Sequence, residues 1–450
     1  MVDILVYKEI PIIWNFFIFP LFYCYKNKCS WYNSLGDSMN RVYLVIDLKT
    51  FYASVECVER GLDPFKTDLI VVDESRGKGS ICLAISPSLK KKGVKNRCRV
   101  FEIPRYIHPI IAKPRMRKYM EYSARIYGIY LKYLSKDDIH VYSIDEAFLD
   151  ITNYRKLYKK NSINIAKMIM KDIYDTTGIT ATCGIGTNMY LAKIALDIIS
   201  KHVKSNIGVL NEKIYREKLW HYTPLTDFWR IGKGIEARLH RLHLKDMYDV
   251  AHVDENILYK EFGVDALLLI DHAWGRESCT ISDIKKYKPM SRSISNGQIL
   301  FKDYSFDKAR VVLSEMVDNL VLELAIKGLY TGCVGAYIGY SKNGIKPLKF
   351  SRKIDYTNSY SKILKEILFC YDSLVCDFPI RRINIWFGCL TNKKIKQLNL
   401  FENEEDDNVE STLIDIKNRY GKNSILRGIS YLDYSTARDR NKLIGGHNAG

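Results

Sequence analysis

Val141-Tyr-Ser-Ile-Asp-Glu-Ala-Phe-Leu-Asp-Ile151 is the stretch whose reading decides the fold. An apolar run leads into Asp145 and Glu146, and alternation resumes through Phe148, Leu149 and Ile151. The pattern predicts two short strands with a carboxylate pair at the turn between them. Two adjacent acids in so apolar a frame repel each other unless a cation stands between them. Far upstream lies a stretch of the same kind, Val42-Tyr-Leu-Val-Ile-Asp47, which reads as a buried strand ending on one acid. Three carboxylates on strand ends are the donor set of a two-Mg²⁺ site. Taken singly, each could equally be an ordinary strand-end acid in a turn. The residues just after Asp47 decide between the two.

Asp47 continues into Leu48-Lys-Thr-Phe-Tyr-Ala-Ser-Val-Glu56. Together with Tyr142-Ser-Ile-Asp-Glu-Ala-Phe-Leu-Asp150, this segment closely resembles the motifs of the Y-family DNA polymerases, in their UmuC-like branch of Gram-positive and phage type. The resemblance runs from Asn40 to the C-terminus. It implies an α+β, multidomain right-hand polymerase. The palm, ferredoxin-like, is expected at 40–58 and 118–207, with small fingers at 59–117 between its two parts. A helical thumb with a helix-hairpin-helix should cover 208–282, and a linker 283–291. An α/β little finger (292–390) and a C-terminal tail with a clamp-binding peptide (391–450) complete the chain.

Composition agrees with that reading. A chain of 450 residues with 47% apolar content has room for three or four domains. Net charge is 69 − 51 = +18, which favours a polyanionic partner such as primer-template DNA through counterion release. Abundant Ile, Asn, Tyr and Lys also betray an AT-biased genome, so charge alone does not decide. The 11 cysteines form no CxxC pair and their total is odd. That argues against a disulfide framework or zinc site and for a reducing, cytoplasmic setting. Residues 1–39 fall outside the resemblance. Ile10 to Tyr25 is apolar and aromatic, flanked by Lys26 and Lys28, but short for a membrane span. The simpler expectation is that translation starts at Met39 and that no membrane is involved.

The resemblance implies roles residue by residue. Asp47, Asp145 and Glu146 should be catalytic and hold two Mg²⁺ ions, with the backbone carbonyl of Leu48 assisting at one. Phe51 and Tyr52 should face the nucleotide. Tyr52 is expected under the incoming sugar, where its ring excludes a 2′-hydroxyl, and Phe51 is expected to be largely core. Lys49 stands where some relatives carry an acid and receives no role. In Ser86-Pro-Ser-Leu-Lys-Lys-Lys-Gly93, Lys90 best matches the family's triphosphate-facing residue, and Leu69 to Val72 and Ser80 to Ile85 read as strands. Small fingers press little on the nascent base pair, which favours lesion tolerance over accuracy.

Gly184-Ile-Gly-Thr-Asn-Met-Tyr-Leu-Ala-Lys-Ile-Ala-Leu-Asp197 is a further family signature, read as a turn and a helix. Lys201 follows it, one residue out of step with the family's phosphate-binding lysine. Pro224 to Leu244 reads as helix, glycine hairpin, helix, in which the amides of Gly232 and Gly234 would meet a DNA phosphate. Beyond Arg292, the periodicity predicts β-α-β-β-α-β. Arg292, Lys342, Arg352 and Lys353 are candidates for its DNA face. Gln397-Leu-Asn-Leu-Phe401 resembles the peptide that bacterial replication proteins insert into the sliding clamp, with Gln397, Leu398, Leu400 and Phe401 as its contacts.

The function expected is a low-fidelity, DNA-directed DNA polymerase that adds deoxynucleotides from their triphosphates by two-metal phosphoryl transfer. Translesion synthesis and SOS mutagenesis are its setting, with the sliding clamp and SOS accessory proteins as partners. A catalytically dead DNA- and clamp-binding scaffold is the first alternative, and the three intact acids argue against it. A nucleotidyl cyclase is the second. The thumb, little finger and clamp peptide argue against that.

Overall fold

Tyr43–Leu48 (β1) is the middle strand of the sheet that carries the acids. Leu44, Val45 and Ile46 are wholly buried, as a strand covered on both faces requires. β1 pairs antiparallel with Glu146–Asp150 (β6) on one side and Ala181–Gly186 (β7) on the other. Ile139–Val141 (β5) adds beyond β6, and Ile207–Leu210 (β8) lies parallel to β7. The order is therefore β5-β6-β1-β7-β8. This computed structural model describes residues 41–77, 79–287, 293–342, 344–374, 378–392 and 406–450. The expectations for the leader, for Arg292 and for Gln397, Leu398, Leu400 and Phe401 lie outside them. The chain divides into two units, Met1–Pro289 with His447–Gly450, and Met290–Gly446.

In the first unit, Phe51–Val58 (α1) leaves β1 through Thr50, a non-glycine residue at φ 46°. Met116–Tyr133 (α3) and Ser162–Thr177 (α4) pack together beside the sheet. α3 buries Met116, Tyr119, Tyr122, Ile126, Ile129 and Tyr130, the three- and four-residue spacing of one helical face. Met189–Ile194 (α5) follows β7 and lies directly against it. A Cβ on Gly184 would come within 2.0 Å of the Ala192 carbonyl oxygen, and one on Gly186 within 2.2 Å of the Ala192 nitrogen. The Gly-Ile-Gly sequence thus serves close helix-on-strand packing.

Between α1 and α3, Leu69–Val71 (β2), Ala84–Ile85 (β3) and Ile110–Ala112 (β4) form a small sheet of order β3-β2-β4. The strand expected over Ser80 to Ile85 is only its last two residues. Ile81 bridges Arg99 and the Cys82 amide donates to the Cys98 carbonyl, so the segment changes partners midway. Ser86 then caps Pro87–Lys91 (α2) by accepting from the Leu89 amide at 3.4 Å.

Glu212–Leu219 (α6), Lys233–Arg241 (α7), Met247–His252 (α8), Glu255–Phe262 (α9) and Ala266–Ala273 (α10) gather around Leu225, Phe228, Leu239, Leu258 and Ala266. The first helix expected in the Pro224 to Leu244 motif is a single 3₁₀ turn, Leu225–Asp227. Pro224 fixes its start, and Arg230 at φ 74° turns the chain away before α7. Within Pro224 to Leu244 the only α-helix is therefore α7, preceded by that turn and by Gly232.

The second unit holds Ser293–Tyr304 (β9), Phe306–Lys327 (α11), Thr331–Tyr340 (β10), Leu348–Thr357 (β11), Tyr360–Asp372 (α12) and Ile380–Gly388 (β12). This is the expected β-α-β-β-α-β succession, in an antiparallel sheet of order β11-β10-β12-β9. Val334, Ala336, Ile338, Ile383, Ile385 and Phe387 face the helices. On the other face the Trp386 ring lies across Gly335, where a Cβ would come within 2.2 Å of it.

Two expectations change here. Arg352 pairs in register with core-facing Val334, bonds Glu366 at 3.0 Å and lies over the Phe369 ring. It belongs to the helix side, whereas Lys353, opposite Cys333, is on the open face. The C-terminal segment is also no appended tail. Asp406–Tyr420 (α13) packs on α11, and Arg427 bonds Asp318 at 2.5 Å and Glu410 at 3.0 Å. Buried Glu315 of α11 accepts from Ser435 Oγ and from the amides of Thr436 and Ala437. A boundary at 390 therefore divides one packed unit.

Candidate active site

Antiparallel register sets Asp47 of β1 directly opposite Glu146 of β6, so that the two carboxylates share one face at about 5 Å between Cβ atoms. Asp145 closes the turn just before Glu146. Its carbonyl accepts from the Leu48 amide at 2.9 Å, and its carboxylate accepts from Ser143 Oγ at 2.5 Å. The Tyr142 and Ser143 amides both donate to the Glu146 carbonyl. Backbone bonds thus fix all three acids at one end of the sheet.

Asp47 and Glu146 resist ionisation. Burial, then the Asp145 charge, pushes Asp47 up to about 6. Burial likewise pushes Glu146 up to about 7, against the pull of Lys193. Two lysines offset the repulsion. Lys193 Nζ lies 2.7 Å from Glu146 Oε1 and 3.0 Å from Asp197. Lys201 Nζ lies 2.8 Å from Asp197 and 3.7 Å from Asp47. Burial alone would lower the pKa of Lys193, but Glu146 and Asp197 outweigh it and hold Lys193 fully charged. Lys201 is raised in the same way, by Asp197 and Asp47.

Lys193, Asp197 and Lys201 stand four residues apart in turn, the stripe of one helical face. The π turn Ala195–Ile199 that follows α5 lies between the two lysines, and Lys201 faces Asp47. The sequence pointed to Lys201 but not to Lys193 and Asp197. Their signal was the i, i+4, i+8 spacing of opposite charges within the quoted motif.

Donor chemistry fits a hard divalent cation. Glu146 Oε1 is buried and receives no hydrogen bond, since Lys193 donates to Oε2 at 2.8 Å and stands out of line with Oε1. Among the described residues no three His, Cys, Asp or Glu side chains converge into a ready metal cage. The ammonium groups of Lys193 and Lys201 hold the electrostatic place between the acids.

The remaining candidates divide. Lys90 stands in the last turn of α2 with much of its side chain exposed, but neighbouring groups partly desolvate its ammonium, and that desolvation and then the Lys201 charge lower its pKa. It therefore shares the positive field around Asp47. Lys49, without an expected role, donates to Asn206 Oδ1 at 2.6 Å. Phe51 is 3% exposed and is a core residue rather than a nucleotide contact. Tyr52 is half-buried beside it, its phenol pushed up to about 12 by burial and the Asp145 charge. Gly232 and Gly234 are exposed at the start of α7 with open space around them.

Comparison with known proteins settles the family. Residues 46–197 match the impB/mucB/samB family and residues 291–400 its C-terminal domain. The chain belongs to the impB/mucB/samB family of Y-family DNA polymerases. The polymerase is 32% identical over 413 residues to the putative UV-damage repair protein UvrX of Bacillus subtilis, covering 90% of this chain and 97% of the relative. It is 30% identical over 426 residues to DNA polymerase IV 2 of the same organism, with 90% and 98% coverage. DNA polymerase IV of Clostridium acetobutylicum is 24% identical over 404 residues, with 87% and 98% coverage. A solved Y-family DNA polymerase chimera shares the fold, at TM-score 0.59 and 21% identity over 77% of this chain and 98% of that one. Among the described residues no helix of the polymerase is long and apolar enough to cross a membrane.

Proposed function

We propose that this polymerase extends primer 3′ ends on damaged templates by two-metal phosphoryl transfer. The observation that carries the reading is the Asp47–Glu146 cross-strand pair with Asp145 at its turn, ringed by Lys193, Lys201 and Lys90. Asp47, Asp145 and Glu146, with the Leu48 carbonyl, would hold two Mg²⁺. Bound there, the ions would supply charge neutralisation for the triphosphate and a lowered pKa for the primer hydroxyl. Lys201 and Lys90 would bind the triphosphate oxygens. Tyr52 lies under the sugar and excludes a 2′-hydroxyl. Short fingers, with strands of two and three residues, leave the nascent pair loosely held, which supports low fidelity and lesion bypass.

DNA is gripped by the amides of Gly232 and Gly234 at the start of α7, by Arg292, and by the open sheet face that carries Lys353. Such phosphate contacts are salt-sensitive and carry no sequence information. Recruitment then falls to Gln397, Leu398, Leu400 and Phe401 as a sliding-clamp peptide. SOS induction, its accessory proteins and a cytoplasmic setting complete the reading. Primer extension opposite an abasic site tests it. Insertion there, dependent on Mg²⁺ and on Asp145, is the expected result, and arrest one nucleotide before every lesion would overturn the bypass role.

A further inference from the structure

We propose that Tyr119 is the back wall of the sugar gate, setting through Tyr52 how strongly the polymerase prefers deoxyribose to ribose. The inference rests on the gate reading of Tyr52 and adds a positioning residue behind it. The Tyr52 and Tyr119 rings are stacked, with centroids 4.4 Å apart and planes at 17°. Phe51 closes the cluster, 5.8 Å from Tyr52 and edge-on to Tyr119 at 6.5 Å. One face of the gate ring is therefore covered by a side chain that is itself fully buried.

Tyr119 cannot drift. Its hydroxyl donates to Glu56 Oε1 at 2.8 Å. Glu56 is buried and accepts from Arg115 at 2.9 and 2.8 Å and from Arg60. Burial alone would raise the Glu56 pKa, but the Arg115, Arg60 and Tyr119 hydrogen bonds outweigh it and hold the group ionised. Glu56 also sits one helical turn after Tyr52 on α1, so the two share a face. Tyr119 thus touches that face twice, with its ring at Tyr52 and its hydroxyl at Glu56. A gate ring swinging back to admit a 2′-hydroxyl would have to push against this anchored ring.

The test is the ratio of deoxynucleotide to ribonucleotide kcat/KM in Tyr119→Phe, Tyr119→Met, Tyr119→Leu and Tyr52→Ala, each checked for folding by thermal denaturation. Met and Leu both remove the ring while filling most of its volume, so one folded variant of the two suffices. Loss of one aromatic pair should lower the ratio about three- to tenfold. Tyr119→Phe keeps the stack and should stay within about twofold of the parent ratio. An unchanged ratio in the Met and Leu variants, with a collapse in Tyr52→Ala, overturns the inference and leaves Tyr119 as core. An equal fall in Tyr119→Phe overturns the stacking role and assigns the effect to the Glu56 bond. No change even in Tyr52→Ala means that the gate reading itself has failed.

Discussion

Metal binding to this polymerase should release protons near neutral pH. The perturbation is a titration of Mn²⁺, standing in for Mg²⁺, into the protein without DNA. Asp47 rises from 3.8 to about 6 through burial and then the Asp145 charge, and Glu146 from 4.5 to about 7 through burial, which outweighs the opposing pull of Lys193. At about pH 6.5 roughly a quarter of Asp47 and three quarters of Glu146 would carry a proton, so filling the site expels about one proton. With ordinary carboxylate values the figure would be about a hundredth of a proton. The same arithmetic makes apparent metal affinity about twentyfold weaker at about pH 6 than at about pH 8. The sign for stability is set by the same shifts. Both folded-state values lie above the unfolded ones, so the contribution to stability is complete below about pH 4 and is lost as pH rises through about 6 to 7. Metal takes over above that range, and the rise in Tm that it gives should be larger at about pH 8 than at about pH 6. The assay is calorimetry in two buffers of different ionisation enthalpy, which counts the protons. Release near zero at about pH 6.5 would refute the burial argument.

The same geometry sets further outcomes. Tyr52→Ala should admit ribonucleotides while deoxynucleotide incorporation stays measurable; incorporation efficiencies for the two sugars check it, and an unchanged ratio would return Tyr52 to the core. Glu56→Ala leaves Arg115, Arg60 and the Tyr119 hydroxyl without their shared acceptor and should cost about 3 to 5 kcal/mol of stability; chemical denaturation measures it, and a loss under about 1 kcal/mol would show the cluster to be solvated. Replacing Leu400 and Phe401 by Ala should spare synthesis on short naked primers and abolish stimulation by loaded clamp at about 150 mM salt, where surface charges are largely screened. Equal stimulation would leave the segment a linker.

Much of the fold was legible because burial enforces a period. β1 lies between two covered faces, and its strand was readable within a residue or two. The β-α-β-β-α-β order of the second unit was readable for the same reason. Ser80 to Ile85 was not, because its composition suits a strand whichever neighbour it pairs with, and it changes neighbour at Cys82. Arg352 and Lys353 are adjacent and alike in sequence, and only register tells which of them faces the helices. The role of the last forty residues was hidden because it depends on buried Glu315 and on Asp318, far away in the chain. At the site, the three acids announced themselves by standing at strand ends. Lys193 did not, since a buried lysine in an apolar helix looks like a solvated one until Glu146 is placed beside it. Nor does the sequence show the π turn Ala195–Ile199. Glu56 was quoted within the motif without a role, because its partner Arg115 arrives only when α3 folds against α1.

The central claim is that Asp47, Asp145 and Glu146 carry the chemistry. Primer extension by Asp145→Ala and Glu146→Ala, alongside DNA binding by the same proteins, tests it most directly. Removal of either carboxylate takes away several kcal/mol of transition-state stabilisation, so extension should fall roughly a thousandfold or more while affinity for primer-template is kept. Extension by either variant at even about a tenth of the parent rate would contradict the account.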